Sequence, residues 1–323
     1  MHARWIRGAA AFALTLAPVA PLAATPVASP VEAADSVRSP ARVTDRLVVI
    51  SIDGLRPDAI SRFRATRLQR LMREGTYSLQ ARTILPSRTL PSHTSMLTGV
   101  GPESHGVTWN EDETDTRGVV QTPTIFARAS QAGYTSAAFF SKTKFHHLQA
   151  PSTLDFTQAP EGSEKWSAAR TAANVETYLE GGAQPDLLFV HLADPDYAGH
   201  DWSWMSYFYG RAVRRADEAV GRVLAAADQA YGRGNYTVLV TADHGGSGWT
   251  HGSSDARDVT IPWIVWGKGV QAGAGLAEGI RTVDTAATAL WLLGVEVPGE
   301  ISGTPVTGAF TAGALTALAQ PGA

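Results

Sequence analysis

Five short apolar runs punctuate the chain: Arg46 to Gly54 (RLVVISIDG), Thr135 to Phe140 (TSAAFF), Asp186 to Leu192 (DLLFVHL), Thr237 to Thr241 (TVLVT) and Ile261 to Trp266 (IPWIVW). They are too short for helices, and the first is rich in β-branched residues, so they read as strands buried on both faces of a parallel sheet. The stretches between them carry helical spacing. From Ser206 to Ala227, Tyr209, Val213, Ala216, Val220 and Val223 recur three and four apart with Arg and Glu on the other side, which predicts an amphipathic helix covering the sheet. A second helical run, Val283 to Val297, is predicted to stop at Gly294 ahead of Pro298, and the Ala- and Gly-rich tail after Thr304 to fray. Alternating strands and helices predict an α/β fold, a sandwich of helix layers around a mostly parallel central sheet.

In such a sheet, ligands gather at the carboxyl ends of the strands. Asp53 ends one predicted strand, Asp194 and Asp196 follow another, and Asp243 with His244 follows a third, so acidic groups should converge on one edge. Histidines stand close behind: His200 four residues after Asp196 in DPDYAGH, and His251 seven beyond His244. A lone Asp-His pair is as easily a surface accident, but the repetition at equivalent strand ends points to metal ligation. There is no cysteine, so a metal must be held by imidazole and carboxylate, a donor set that suits Zn²⁺ with Mn²⁺ as the competitor. The stretch Thr83 to Gly106 (TILPSRTLPSHTSMLTGVGPESHG) contributes Thr89. A threonine hydroxyl needs a base or a metal to become a nucleophile. Without such company Thr89 would be an ordinary residue of a Ser- and Pro-containing turn.

Composition narrows the class. The chain has 323 residues, of which 44% are hydrophobic, enough for one large domain. Its formal charge of -3 has no basic stripe, which argues against nucleic-acid polymers as partners. Arg4 and Arg7 precede an apolar run broken by Pro18 and Pro21, which reads as a secretory signal peptide and not as a span, and predicts a periplasmic or secreted protein whose mature chain has no membrane span. The expected layout is a signal peptide and leader over residues 1–34, a disordered linker over 35–44, a catalytic domain over 45–310 and a flexible tail over 311–323.

Taken together, IDG at Asp53, the TLPSH stretch with TG and PESHG behind it, PDYAGH, and ADHGG followed by THG resemble the alkaline phosphatase superfamily. The resemblance is greatest to its type I phosphodiesterase and nucleotide pyrophosphatase branch, and it spans roughly Val48 to the GTPV near Pro305. It implies an alkaline phosphatase-like fold with two Zn²⁺, one held by Asp196, His200 and His251, the other by Asp53, Asp243 and His244 with Thr89 touching it as nucleophile. It further implies a phospho-threonine intermediate and an amide of Asn110 that donates to the phosphoryl group. Ser92 stands where family diesterases carry an asparagine, and it is assigned here to the substrate site. Ile84 occupies the position at which a sulfatase needs Cys or Ser, which excludes a formylglycine sulfatase.

The expected partner is a small phosphate ester, possibly a nucleotide, cleaved as a diester or pyrophosphate. Three carboxylates and one alkoxide balance two dications, and a neutral site suits a diester monoanion. Lys142 and Lys144 in FFSKTKFHH resemble a lysine pair that relatives place over phosphonates or monoesters, and they carry the alternative of a phosphomonoesterase or phosphonate hydrolase. A non-catalytic zinc-binding module is the third reading. His146 and His147 read as surface or hydrogen-bonding histidines. Five aromatics from Trp202 to Tyr209 read as packing at the start of the covering helix, with base stacking as the alternative.

Overall fold

The structure, a computed structural model, describes residues 41–276 and 279–319. The expected signal peptide and leader, and all but the last residues of the expected linker, lie outside the described residues. Eight strands form one sheet in the order β4-β3-β5-β1-β6-β7-β2-β8: β1 (Leu47–Ile52), β2 (Thr76–Arg82), β3 (Ser136–Phe139), β4 (Phe156–Gln158), β5 (Leu187–Leu192), β6 (Thr237–Thr241), β7 (Thr260–Gly267) and β8 (Ala274–Gly275). The five apolar runs are β1, β3, β5, β6 and β7. Every residue of β1, β5 and β6 is buried, the state in which a strand needs no polar alternation. β4, β3, β5, β1 and β6 run parallel, whereas β7 is antiparallel to both β6 and β2. The sheet is therefore mixed, mostly parallel, and flanked by helices.

Helix Tyr207–Tyr231 is the predicted covering helix. Its N-terminus is capped by Ser206, whose Oγ accepts from the Tyr209 N–H, and Tyr209, Val213, Ala216, Val220 and Val223 are all buried. It packs on helix Ala168–Glu180 and on helix Asp194–Trp202. A second group, helices Thr89–Thr98, Ile125–Gln131 and Asp284–Leu292, packs together separately. Gly294 follows the last of these with φ 69°, the left-handed conformation at which a helix ends. Beyond Thr304 the chain differs from the frayed tail predicted from composition: Ala309 and Phe310 are buried, and Ala312–Ala319 is helical with Ala314 packed near Gly269. Burial of these side chains against the body of the domain supplies what the Ala- and Gly-rich sequence lacks locally. Among the described residues no helix is long and apolar enough to cross a membrane.

Candidate active site

Four segments bring the acidic strand ends together. Asp53 directly follows β1, Asp243 and His244 lie just past β6, and Asp196 and His200 lie on helix Asp194–Trp202 after β5. Gly54 makes the approach possible: its φ is 69°, and a Cβ there would stand 3.0 Å from the Asp196 Cα. His251 arrives from the loop after β6, its ring stacked on that of His244 with centroids 3.6 Å apart. Two groups of potential metal ligands result, Asp196 with His200 and His251, and Asp53 with Asp243 and His244.

The donor atoms are prepared for a cation. Each histidine spends its Nδ1–H on a backbone carbonyl, His244 on Gly245 at 2.8 Å, His251 on Ser87 at 2.7 Å and His200 on Trp249 at 3.0 Å, which leaves each Nε2 lone pair facing its group. Each aspartate likewise commits one oxygen. Asp243 Oδ1 accepts from the N–H groups of Gly54 and His244, and Asp53 Oδ2 accepts from His191 Nε2 at 2.9 Å. The other oxygens, Asp53 Oδ1, Asp196 Oδ1 and Asp243 Oδ2, are buried without any hydrogen-bond partner. An uncompensated buried carboxylate oxygen is costly. Burial and the neighbouring Asp53 push the Asp243 carboxyl well above its ordinary value, and burial with the adjacent His244 pushes His251 down to about 3. The raised Asp243 carboxyl marks carboxylates short of positive charge, the lowered His251 leaves its imidazole neutral with a free lone pair, and three orphan oxygens beside three imidazole lone pairs fit divalent metal ions.

Thr89 opens helix Thr89–Thr98, with Oγ1 3.3 Å from His244 Nε2. The TLPSH segment is therefore the first turn of a helix, not the loop turn read from sequence; Pro91 is tolerated there because the first N–H groups of a helix have no internal partner. His93, unassigned from sequence, anchors this turn: its ring lies 2.8 Å from the Thr89 carbonyl at Nδ1 and 2.8 Å from Ser51 Oγ at Nε2. Burial, with His191 close by, keeps its pKa well below the ordinary histidine value, so the ring is neutral. His191, on β5, plays the matching part for Asp53. The signals were present in sequence, a histidine four residues after Thr89 and another inside an apolar strand, but each is also an ordinary core histidine.

A cavity of about 730 Å³ opens over the site, and Thr89, Asn110, Lys142, Lys144, Asp196 and His251 are among the residues lining it. Asn110 Oδ1 accepts from the Leu90 N–H at 2.9 Å, which orients the amide beside the start of helix Thr89–Thr98. Ser92 corrects the sequence reading. Its hydroxyl is fully buried, donates to the Asp243 carbonyl at 2.6 Å and bonds Thr83 Oγ1, so it ties the helix to the end of β6 and does not line the cavity. Asp194 is likewise spent elsewhere, on the Ala168 N–H and on Arg215.

The lysine pair divides. Lys142 Nζ lies 2.6 Å from Asp53 Oδ2 and 2.6 Å from Asp196 Oδ2, joining the two groups through oxygens that face away from the orphan positions. Burial opposes its charge, and Asp196 and Asp53 outweigh burial, holding the ammonium protonated. Lys144 is half-buried in the cavity, where burial and the nearby Lys142 lower its pKa. His147, read from sequence as a surface or hydrogen-bonding histidine, is fully buried and hydrogen-bonded. Its Nε2 accepts from Trp109 Nε1 and from the Glu113 N–H, and its Nδ1–H donates to the Gly118 carbonyl. It thereby stitches the loop carrying Asn110 to the segment carrying Lys142 and Lys144.

An α/β sandwich with two carboxylate-imidazole groups at the carboxyl edge of its sheet and a threonine at a helix start between them defines a metal-dependent class of the alkaline phosphatase-like fold. Within it, this chain belongs to the type I phosphodiesterase / nucleotide pyrophosphatase family, whose profile matches residues 47–255. It is 26% identical over 78% of its length to GPI ethanolamine phosphate transferase 1 of Aspergillus oryzae, and 25% identical over 62% to the bis(5'-adenosyl)-triphosphatase enpp4 of Xenopus laevis. It spans 27% and 47% of those two proteins. Murine ectonucleotide pyrophosphatase / phosphodiesterase 5, solved as an inactive variant in complex with AMP, shares the fold with a TM-score of 0.68 at 15% identity, over 79% of this chain and 96% of that one.

Proposed function

We propose that the protein is a metal-dependent phosphodiesterase or nucleotide pyrophosphatase that cleaves small phosphate esters through a phospho-threonine intermediate on Thr89. The observation that carries this reading is the position of Thr89 Oγ1, at a helix start and 3.3 Å from His244 Nε2, the same nitrogen that lies 3.4 and 3.2 Å from the orphan oxygens of Asp53 and Asp243. Asp196, His200 and His251 would hold one ion, and Asp53, Asp243 and His244 the other. Zn²⁺ suits this donor set, with Mn²⁺ as the competitor. Bound there, the ions would supply Lewis acidity, lowering the barrier to Thr89 deprotonation and offsetting charge on the phosphoryl oxygens.

The chain's own groups do the rest. Thr89 Oγ1 gives its proton to solvent and forms the bond to phosphorus in line as the bond to the leaving oxygen breaks; the leaving oxygen takes a proton from solvent. A water then attacks the phosphorus of phospho-Thr89 as the P–Oγ1 bond breaks; its hydroxyl stays on the released phosphoryl group and its other proton goes to Oγ1. Asn110 donates to a phosphoryl oxygen, His93 holds the helix turn, and His191 and Lys142 fix the Asp53 carboxylate. Relatives described as nucleotide-cleaving support a nucleotide or similar diester as substrate.

A second reading, hydrolysis of phosphomonoesters or phosphonates, draws on Lys142 and Lys144. Two ammonium groups at one cavity add positive charge to a site otherwise balanced, and this favours a dianionic substrate. The deciding experiment compares kcat/KM for bis-p-nitrophenyl phosphate and p-nitrophenyl phosphate on the zinc-loaded protein. A marked diester preference is expected; a monoester preference would replace the first reading by the second. Thr89→Ala should abolish turnover while leaving zinc content intact, and full turnover in that variant would overturn both.

A further inference from the structure

A second cavity, about 590 Å³, adjoins the first and shares Lys165, Tyr197 and Asp201 with it. Its walls include the rings of Trp166, Tyr197, Trp202 and Phe208. Large apolar side chains are rarely well exposed among the described residues, yet Trp202 and Phe208 are 55% and 44% exposed, with ring centroids 4.6 Å apart, and exposed Tyr207 lies against Phe208. The row of five aromatics is thus two-faced. Trp204 and Tyr209 are buried and both bond the Gly54 carbonyl, as the packing reading expects. Trp202, Tyr207 and Phe208 turn outward. The turn between the two helices makes the split, with Ser203 at φ 73° and Met205 at φ 63°, conformations that side-chain-bearing residues seldom adopt.

Two polar groups on the cavity wall, Ser167 and Asp194, are already engaged. Ser167 Oγ caps Arg170 N, and Asp194 serves Ala168 and Arg215. The cavity therefore offers the faces of four aromatic rings beside the charged groups of Lys165, Asp201 and Arg211, and its apolar area comes from the rings. Lys165 bridges the two cavities, its Nζ 5.2 Å from the Tyr197 ring.

We propose that this cavity is a subsite for an apolar aromatic substituent of the phosphoester, seated between Trp166, Trp202 and Phe208 while the phosphoryl group occupies the neighbouring cavity over Thr89. Continuity of the two cavities names the occupant as part of the substrate, and the four aromatic rings of the wall favour a flat aromatic group over an alkyl chain. The inference rests on the phosphoester reading for what the first cavity holds.

Its test compares methyl p-nitrophenyl phosphate, octyl p-nitrophenyl phosphate and naphthylmethyl p-nitrophenyl phosphate, diesters with one leaving group, on the zinc-loaded protein. The naphthylmethyl diester should have a kcat/KM about tenfold above the methyl and clearly above the octyl diester. The Trp202→Ala/Phe208→Ala double variant should turn over the methyl diester normally and lose the preference. Equal values for naphthylmethyl and methyl diesters, a preference that survives in the variant, or an octyl diester that matches the naphthylmethyl one would each overturn the subsite. Calorimetric titration with naphthylmethylphosphonate and methylphosphonate needs no turnover. Tighter naphthylmethylphosphonate binding, lost in the double variant, in a protein inert to every diester would uphold the subsite and overturn the phosphodiesterase reading; equal binding of the two phosphonates would overturn the subsite alone.

Discussion

At the scale of single residues, the site depends on groups that orient other groups. In the proposed function Asn110 is the donor to a developing phosphoryl charge, and its orientation is set by the Leu90 N–H. Asn110→Ala should lower kcat roughly 100- to 1000-fold, the effect of removing one such donor, with the melting temperature little changed. His147 acts one step further out. His147→Ala leaves the Trp109 and Glu113 donors without their acceptor, which should destabilise the fold by about 1–3 kcal/mol and reduce kcat/KM by loosening the Asn110 loop; urea melts and steady-state kinetics on the same preparation measure both. The ligand residues were legible in sequence because Asp, His and their spacing name their own chemistry. Ser92 and Lys142 were not, because a hydroxyl or an ammonium takes its role from where its rotamer points. Ser92 turned toward a backbone carbonyl, and Lys142 toward two carboxylates.

At the scale of elements, the strands that sequence patterning found are those buried on both faces, where an unbroken apolar run is the only composition that fits. β2 was missed because its burial alternates along TYSLQAR, and β4 and β8 are too short to carry a pattern. The helix Tyr207–Tyr231 was readable from its apolar period, and the structure adds the Ser206 cap. Ser206→Ala should remove a cap worth about 1 kcal/mol and lower the melting temperature by a few degrees without altering kcat/KM. Close packing between elements was beyond the pattern. A Cβ at Gly246 would lie 2.2 Å from the Trp204 ring, which itself bonds the Gly54 carbonyl. Gly246→Ala should therefore cost about 1–3 kcal/mol of stability by overpacking and disturb the Asp53–Gly54 turn, measurable as a lower melting temperature and weaker zinc retention in a chelator titration.

At the scale of the whole molecule, the proposed metal binding should be coupled to stability. Three buried orphan oxygens burden the metal-free fold, so zinc should raise the melting temperature, by about 2.7 kcal/mol of stability when free metal reaches a hundredfold its Kd, and a chelator should reverse the gain. Acid should act independently through His105, whose burial lowers its pKa from 6.5 to about 4. Folded His105 stays neutral while the unfolded chain takes up a proton below pH 6.5. Its contribution is therefore fully present above that pH, falls as pH drops toward about 4 and levels off below. His105→Gln should flatten that part of the acid limb, read as urea midpoints at neutral pH and near the lower value.

What the sequence determined by itself was the class of fold, the ends of the central strands and the two candidate groups of metal ligands, because hydrophobic period and side-chain chemistry are local properties that survive without neighbours. Only the tertiary structure decided which oxygen of each carboxylate is left open, that His191 supports Asp53 from 138 positions away, that His147 is a buried joint, and that the aromatic row faces both inward and outward. Those outcomes come from rotamers and long-range packing, where each side chain is placed by residues distant in the chain.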